Sequence, residues 1–265
     1  MTSSTATVEV QATIGSCKIH MSVGVPAGPS RVDDFLPLLQ ILSDKVVAAA
    51  ENDAQERGKC ISCQKGCGAC CRQLVPLSPA DARHLAQLVA ELPEPRKSEI
   101  VARFAAARRQ LEEAGVWQKL NDRRNWPEAE VSVLGLDYFR LGIACPFLED
   151  ESCSIHRERP LTCREYLVTS PAQNCSDPSA DSIECLPLPA KVWLSAARSE
   201  SNANNERYLN WIPLIQVLDW AAQQPPLPPE KPGPELLREL IEGLSHTSNE
   251  ALFAPPNASS QAATA

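Results

Sequence analysis

Long apolar runs are missing from this sequence of 265 residues, and none approaches the roughly 18–20 residues that a membrane helix needs. A helical span, and with it a membrane partner, is therefore not expected. The first residues, MTSSTATVEV, lack a basic stretch followed by an apolar one. No export signal is read there, and a reducing cytoplasm is the expected compartment. Basic patches are missing too: 25 Lys and Arg stand against 33 Asp and Glu, a formal net charge of −8. Nucleic acid is not an expected partner, because binding it needs clustered positive charge. Aromatics are few, at 5%, which leaves the core to aliphatic side chains. No glycine-rich fingerprint follows a strand-like segment, so no nucleotide site is expected.

Cysteine, in contrast, is abundant, with 11 residues. In a reducing compartment an odd count at uneven spacing suggests metal or redox chemistry rather than a disulfide framework. Five of them, Cys60, Cys63, Cys67, Cys70 and Cys71, fall in CISCQKGCGACC. The C-x-x-C spacing lets one turn of backbone aim two thiolates at one metal. It occurs twice here, as Cys60–Cys63 and Cys67–Cys70. Gly66 and Gly68 are expected to supply positive φ angles in this knuckle. The adjacent Cys70 and Cys71 diverge in most backbone conformations, so they serve two metals or two irons, or Cys71 lies behind the site.

A second group, Cys145, Cys153 and Cys163, follows in ACPFLEDESCSIHRERPLTCREY. These three can converge on the first group if Cys145 ends a strand and Cys163 opens a helix. His156 is a further candidate ligand, set against a packing or solvent-facing role. Cys175 and Cys185 lie beyond in a loop rich in Pro and Ser, each open as a ligand. Four thiolates around zinc or an oxidised iron–sulfur core leave a charge of about −2. Arg159 and Arg164, beside Pro160 and Cys163, are placed to offset part of it from behind the ligands. Cys17 reads as an ordinary strand residue.

Four regions are read along the chain: an N-terminal hairpin and helix (1–57), a cysteine-cluster domain with an inserted helical pair (58–170), a helical extension (171–224) and a proline-rich linker with a largely disordered tail (225–265). In the first, Val8, Val10, Ala12 and Ile14 alternate with polar residues, as do Cys17, Ile19, Met21 and Val23 after Gly15-Ser16. That pattern predicts a β-hairpin with a two-residue turn. Helices are expected over 33–57, from Ser78 as N-cap through SPADARHLAQLVAEL, over 95–114, 187–197 and 204–222, and in PELLRELIEGL. Residues 131–148 alternate weakly and suggest a short strand before Cys145. Trp193, Trp211, Ile215 and Trp220 are candidate core anchors.

The motifs C-G-A-C-C-R, C-P-F-L, C-S-I and R-P-x-x-C-R-x-Y, spread over roughly residues 58–170, resemble those of the YkgJ-type cysteine-cluster family. That family is described as a zinc- or iron-chelating domain with eight cysteines. Carried over, the resemblance implies Cys60, Cys63, Cys67, Cys70, Cys71, Cys145, Cys153 and Cys163 as metal ligands. The Cys63–Cys67 interval is one residue longer than in many members. Some flagellin lysine N-methylases share the cysteine pattern, and other members are labelled iron–sulfur oxidoreductases.

The expected fold is α+β and mainly helical, an irregular cysteine-rich metal-binding core with an N-terminal β-hairpin. The expected function is metal binding, the cofactor being zinc or an iron–sulfur cluster. The alternatives are an iron–sulfur oxidoreductase or lysine N-methylase-like enzyme, and a structural zinc domain that contacts a protein partner. Zinc and iron are not separable from thiolate ligands alone.

Overall fold

The computed structural model describes residues 4–14, 17–122, 128–177, 182–201, 209–245 and 247. The Gly15-Ser16 turn, the side chain of Cys17 and nearly all of the expected disordered tail lie outside the described residues. The chain is mainly helical with an N-terminal antiparallel strand pair. Strands β1 (Thr5–Ile14) and β2 (Cys17–Pro26) pair with Val8 opposite Val23 and Val10 opposite Met21. The two apolar sets thus face each other, as the alternation predicts. A short strand, β3 (Pro29–Ser30), leads through a 3₁₀ turn into the long helix α1 (Leu36–Glu56). Leu39, Leu42, Val46, Ala50 and Ala54 form its buried stripe. Gly58, at φ +74°, follows its C-terminus in the left-handed conformation typical of helix ends.

The cysteine loop comes next, then β4 (Pro76–Leu77) and α2 (Pro79–Glu91). Ser78 caps α2 as its sequence predicts, accepting from the Asp81 backbone N–H at 3.1 Å. Helices α3 (Arg96–Glu113), α4 (Val116–Asn121) and α5 (Glu128–Arg140) follow. The strand suggested within 131–148 does not form. Leu134 and Tyr138 are buried four residues apart, so helical spacing outweighs the weak alternation. Further along are β5 (Leu148–Glu149), β6 (Ser152–Cys153), α6 (Leu161–Glu165), α7 (Val192–Ser199), β7 (Ile212–Pro213), α8 (Val217–Ala222), β8 (Lys231–Pro232) and α9 (Gly233–Leu244). Helix α7 starts later than 187 because Pro187 and Pro189 keep the chain extended. The helix expected over 204–222 is an α-helix only from Val217; Ile212–Pro213 pairs with β4 instead, and 202–208 lie outside the described residues.

Among the described residues, two apolar cores result. The first joins the hairpin, α1, α7 and α9, with Trp193 in it and Trp211 packed against it. The second joins α2, α3, α4, α5 and the segment 212–217, with Ile215 inside and Trp220 at its edge. Helix α9, foreseen as PELLRELIEGL, buries Leu236, Leu237, Leu240 and Leu244 in the first core. Its start lies so close to the hairpin that a Cβ on Gly233 would sit 1.9 Å from the Pro26 carbonyl oxygen.

The cysteine segments lie where these cores meet. Ile61 packs on the first, while Leu74, Val75, Cys145 and Ile155 pack on the second. Among the described residues, no helix is long and apolar enough to cross a membrane.

Candidate metal centre

Cys60, Cys63 and Cys67 lie on the irregular stretch after α1, and Cys70 and Cys71 on a 3₁₀ turn, Ala69–Arg72. Gly66 has φ +90°, the left-handed conformation its position in the loop predicts. Gly68 does not: it has φ −96° and ψ 10°. Its need is space. A Cβ there would lie 2.8 Å from Leu148 Cδ1 and 2.5 Å from Glu151 Oε2. The second cysteine segment is therefore packed directly against the first.

Three further contacts fix this junction. The Cys145 N–H donates to the Cys71 carbonyl at 2.7 Å. Arg72 forks onto Glu151 with bonds of 2.9 and 2.7 Å. Glu151 and Asp150 form the two-residue turn between β5 and β6, both at positive φ (54° and 48°). On the far side, Arg96 and Arg103 both bind Glu149 and so hold this hairpin to α3. Cys153 lies on β6 and Cys163 within α6. Cys145 is in a loop rather than at the end of a strand, and the Cys71 carbonyl does the positioning expected of a sheet.

All ten cysteines with described side chains are free thiols. Their mutual electrostatics show how they group. Hydrogen bonding to Cys71, then burial, drives the Cys70 thiol far above its ordinary range. Burial, followed by neighbouring thiols, pushes Cys145 up to about 12, and the same two causes raise Cys163. Cys153 is also raised, first by burial and then by Cys70. Cys63 is raised by burial and by Cys70 and Cys67, against a 3.4 Å hydrogen bond from the Val168 N–H. Cys70 is the hub, acting on Cys63, Cys145, Cys153 and Cys163.

Cys175 belongs to this group as well. It is 4% exposed, in a 3₁₀ turn (Ala172–Ser176) that packs against the Ala69–Arg72 turn. Its thiol is raised by burial and then by Cys63, Cys67 and Cys70. Spacing carries no signal for Cys175, since a loop of Pro and Ser returns it to the cluster. Cys60, by contrast, is exposed at the outer end of the loop.

Arg159 faces the thiols, stabilising the ionised forms of Cys70, Cys153 and Cys163. Its Nε is buried with no hydrogen-bond partner. Arg164 is 9% exposed and bridges Asp44 of α1 at 3.1 Å, while its Nε donates to the Arg159 carbonyl at 3.0 Å. It steadies the loop that carries Arg159. His156 is exposed, and Arg159, followed by burial, lowers its pKa.

Among the described residues, no three His, Cys, Asp or Glu side chains are arranged as a complete ligand set. In donor chemistry the group fits a thiophilic metal. Free thiols from two distant segments lie together beside an unpartnered arginine nitrogen, and each thiol that ionises would be stabilised by a cation.

Residues 62–183 match the model of a family described as "CxxCxxCC: Putative zinc- or iron-chelating domain", the family that the cysteine motifs resemble. The matched segment includes Cys175 and leaves out Cys60 and Cys185. No curated protein and no solved structure matches the chain.

Proposed function

We propose that this protein holds zinc or an iron–sulfur cluster in a thiolate centre built by Cys63, Cys67, Cys70, Cys71, Cys145, Cys153 and Cys163. Cys175 joins them, and Cys60 stands at the exposed rim. Bound there, the metal would supply a positive charge that cross-links two segments about 75 residues apart. The observation that carries this reading is the packing of the Cys67–Cys71 turn against the Cys145–Cys153 segment through Gly68 and the Cys71 carbonyl.

The chain's own residues supply the rest. Cys70 couples the two groups of thiols, and Arg159 offsets part of their negative charge. Arg72 and Glu151 keep the segments in register. The test is metal analysis of full-length protein purified without oxygen. Stoichiometric zinc in colourless protein identifies a zinc centre. Iron and acid-labile sulfide in brown protein identify a cluster. Protein that retains neither metal refutes the reading.

A further inference from the structure

The stretch QQPPLPPEKP, residues 223–232, carries Pro225, Pro226, Pro228, Pro229 and Pro232. Each proline ring fixes φ at about −65°, and a residue before a proline is driven to extended backbone. Together these constraints favour the polyproline II helix. The structure agrees. Residues 224–230 take neither helix nor strand, and Pro232 has φ −53° and ψ 131°. Exposure also follows a period of three, the repeat of that helix. Pro225, Pro228 and Lys231 are half-buried, and the residues between them are exposed. One ridge of the strut therefore rests on the body, and two face solvent.

The strut is tied down along its length. It leaves α8 through Gln224, at φ 47°, and enters α9 through β8, which pairs with β3. Midway, Arg31 Nε donates to the Pro228 carbonyl at 3.1 Å, and its Nη2 pairs with Glu230 at 2.8 Å. Lys231 pairs with Glu239 of α9. Both charged side chains of the strut are thus answered within the chain. What remains on the outer ridges is apolar: Pro226, Leu227 and Pro229. Leu227 is 57% exposed and packs on neither apolar core.

We propose that residues 225–232 are a presented ligand, a polyproline II strut that docks in the aromatic-lined groove of a protein partner. Grooves of this kind recognise the preformed helix by laying aromatic rings against its proline ridges. Pro226 and Pro229 stand one turn, about 9 Å, apart on one outer ridge, and Leu227 lies on the other. The ties through Arg31 and β8 hold the strut in place before binding, which lowers the ordering cost of the complex. With Arg31 and Lys231 already paired, the fitting groove is apolar and aromatic rather than acidic. The proposal does not rest on the metal reading.

The test uses an isolated WW domain, a module with an aromatic groove for proline-rich segments, as the probe. The domain is isotope-labelled and titrated with full-length protein, and its groove resonances should shift saturably. Leu227→Asp keeps every proline, places a charge on the exposed ridge, and should weaken binding about tenfold, the factor that 1.4 kcal/mol produces. Pro226→Ala combined with Pro229→Ala should act in the same direction. Ile41→Asp, a like change at an exposed position of α1, is the control and should leave binding unchanged. Thermal unfolding of each variant checks that the fold persists. No shift with the parent chain overturns the inference, as does binding that Leu227→Asp and Ile41→Asp weaken equally. Dimers of the chain that Leu227→Asp dissolves, with a silent probe, assign the strut to a second copy and overturn it too.

Discussion

Replacing Gly68 by alanine isolates the contact that joins the two halves of the cysteine set. At φ −96° and ψ 10° an alanine is conformationally acceptable. On backbone grounds alone the substitution would stabilise the protein by about 0.4–1 kcal/mol, by restricting the unfolded chain. The neighbours reverse the sign. The new Cβ would sit 2.5 Å from Glu151 Oε2, 2.8 Å from Leu148 Cδ1 and 3.2 Å from Glu151 Cα. The carboxylate can swing away, but it then leaves Arg72, and the Cα cannot move without the turn. Overpacking of this kind costs about 1–3 kcal/mol, so the net expectation is a loss of about 1–2 kcal/mol. Thermal unfolding should show it as a fall of about 2–4 °C per kcal/mol. Metal content should fall as well, because the segments carrying Cys70 and Cys153 are pushed apart. Gly66→Ala is the comparison. It strains a left-handed residue with open space around it, so it should cost stability while leaving the junction intact. A Gly68→Ala protein as stable as the parent, with full metal content, would refute the reasoning.

Two further substitutions test the electrostatics. Arg159→Met removes the cation that favours the ionised forms of Cys70, Cys153 and Cys163. The pH at which half of the bound zinc is lost on acidification should then move upward; an unchanged or lower midpoint refutes the assigned role. Glu165 is buried and caps α7, accepting from the Val192 N–H at 2.9 Å and the Trp193 N–H at 3.3 Å. Burial raises its pKa from 4.5 to about 8. An acid raised in the folded state binds its proton there after the unfolded chain has lost it. Its contribution is thus fully present below about 4.5 and is lost as pH rises towards about 8. Glu165→Gln keeps an acceptor for the cap and should flatten this fall in denaturant unfolding measured across that window. An unaltered slope would show that Glu165 is not its source.

Where one element carried its own signal, the sequence was readable. The hairpin alternation, the Ser78 cap, the helix over 33–57 and the α9 segment each predict what is found. Residues 131–148 misled because a few alternating residues compete poorly with Leu134 and Tyr138, whose helical spacing buries them. In the proposed metal centre, the cysteine loop and the R-P-x-x-C-R motif stand out in the sequence as local groups of candidate ligands. Tertiary placement was not. Nothing in spacing says that Cys175 returns to the Ala69–Arg72 turn, or that Gly68 is required for proximity rather than for its φ. Nor does sequence distinguish Arg159, facing the thiols, from Arg164, drawn away to Asp44.

Those two arginines differ in the positive charge they leave for the thiols of the proposed centre. Burial and mutual repulsion raise Cys63, Cys145, Cys153, Cys163 and Cys175 together, and Cys71 and burial raise Cys70. Such a group cannot ionise by itself near neutral pH, since each thiolate formed makes the next harder to form. Positive charge has to be supplied, and the described residues supply little of it to the thiols. Arg72 is neutralised by Glu151 and Arg164 by Asp44, which leaves Arg159 as the cation that reaches several thiols. One guanidinium does not balance four thiolates. A bound metal ion removes the deficit, and each thiolate it recruits gives up a proton. Metal loading and thiol ionisation are then one equilibrium. In the proposed centre, this shortage of positive charge would favour binding a cation over acting as a set of reactive nucleophiles.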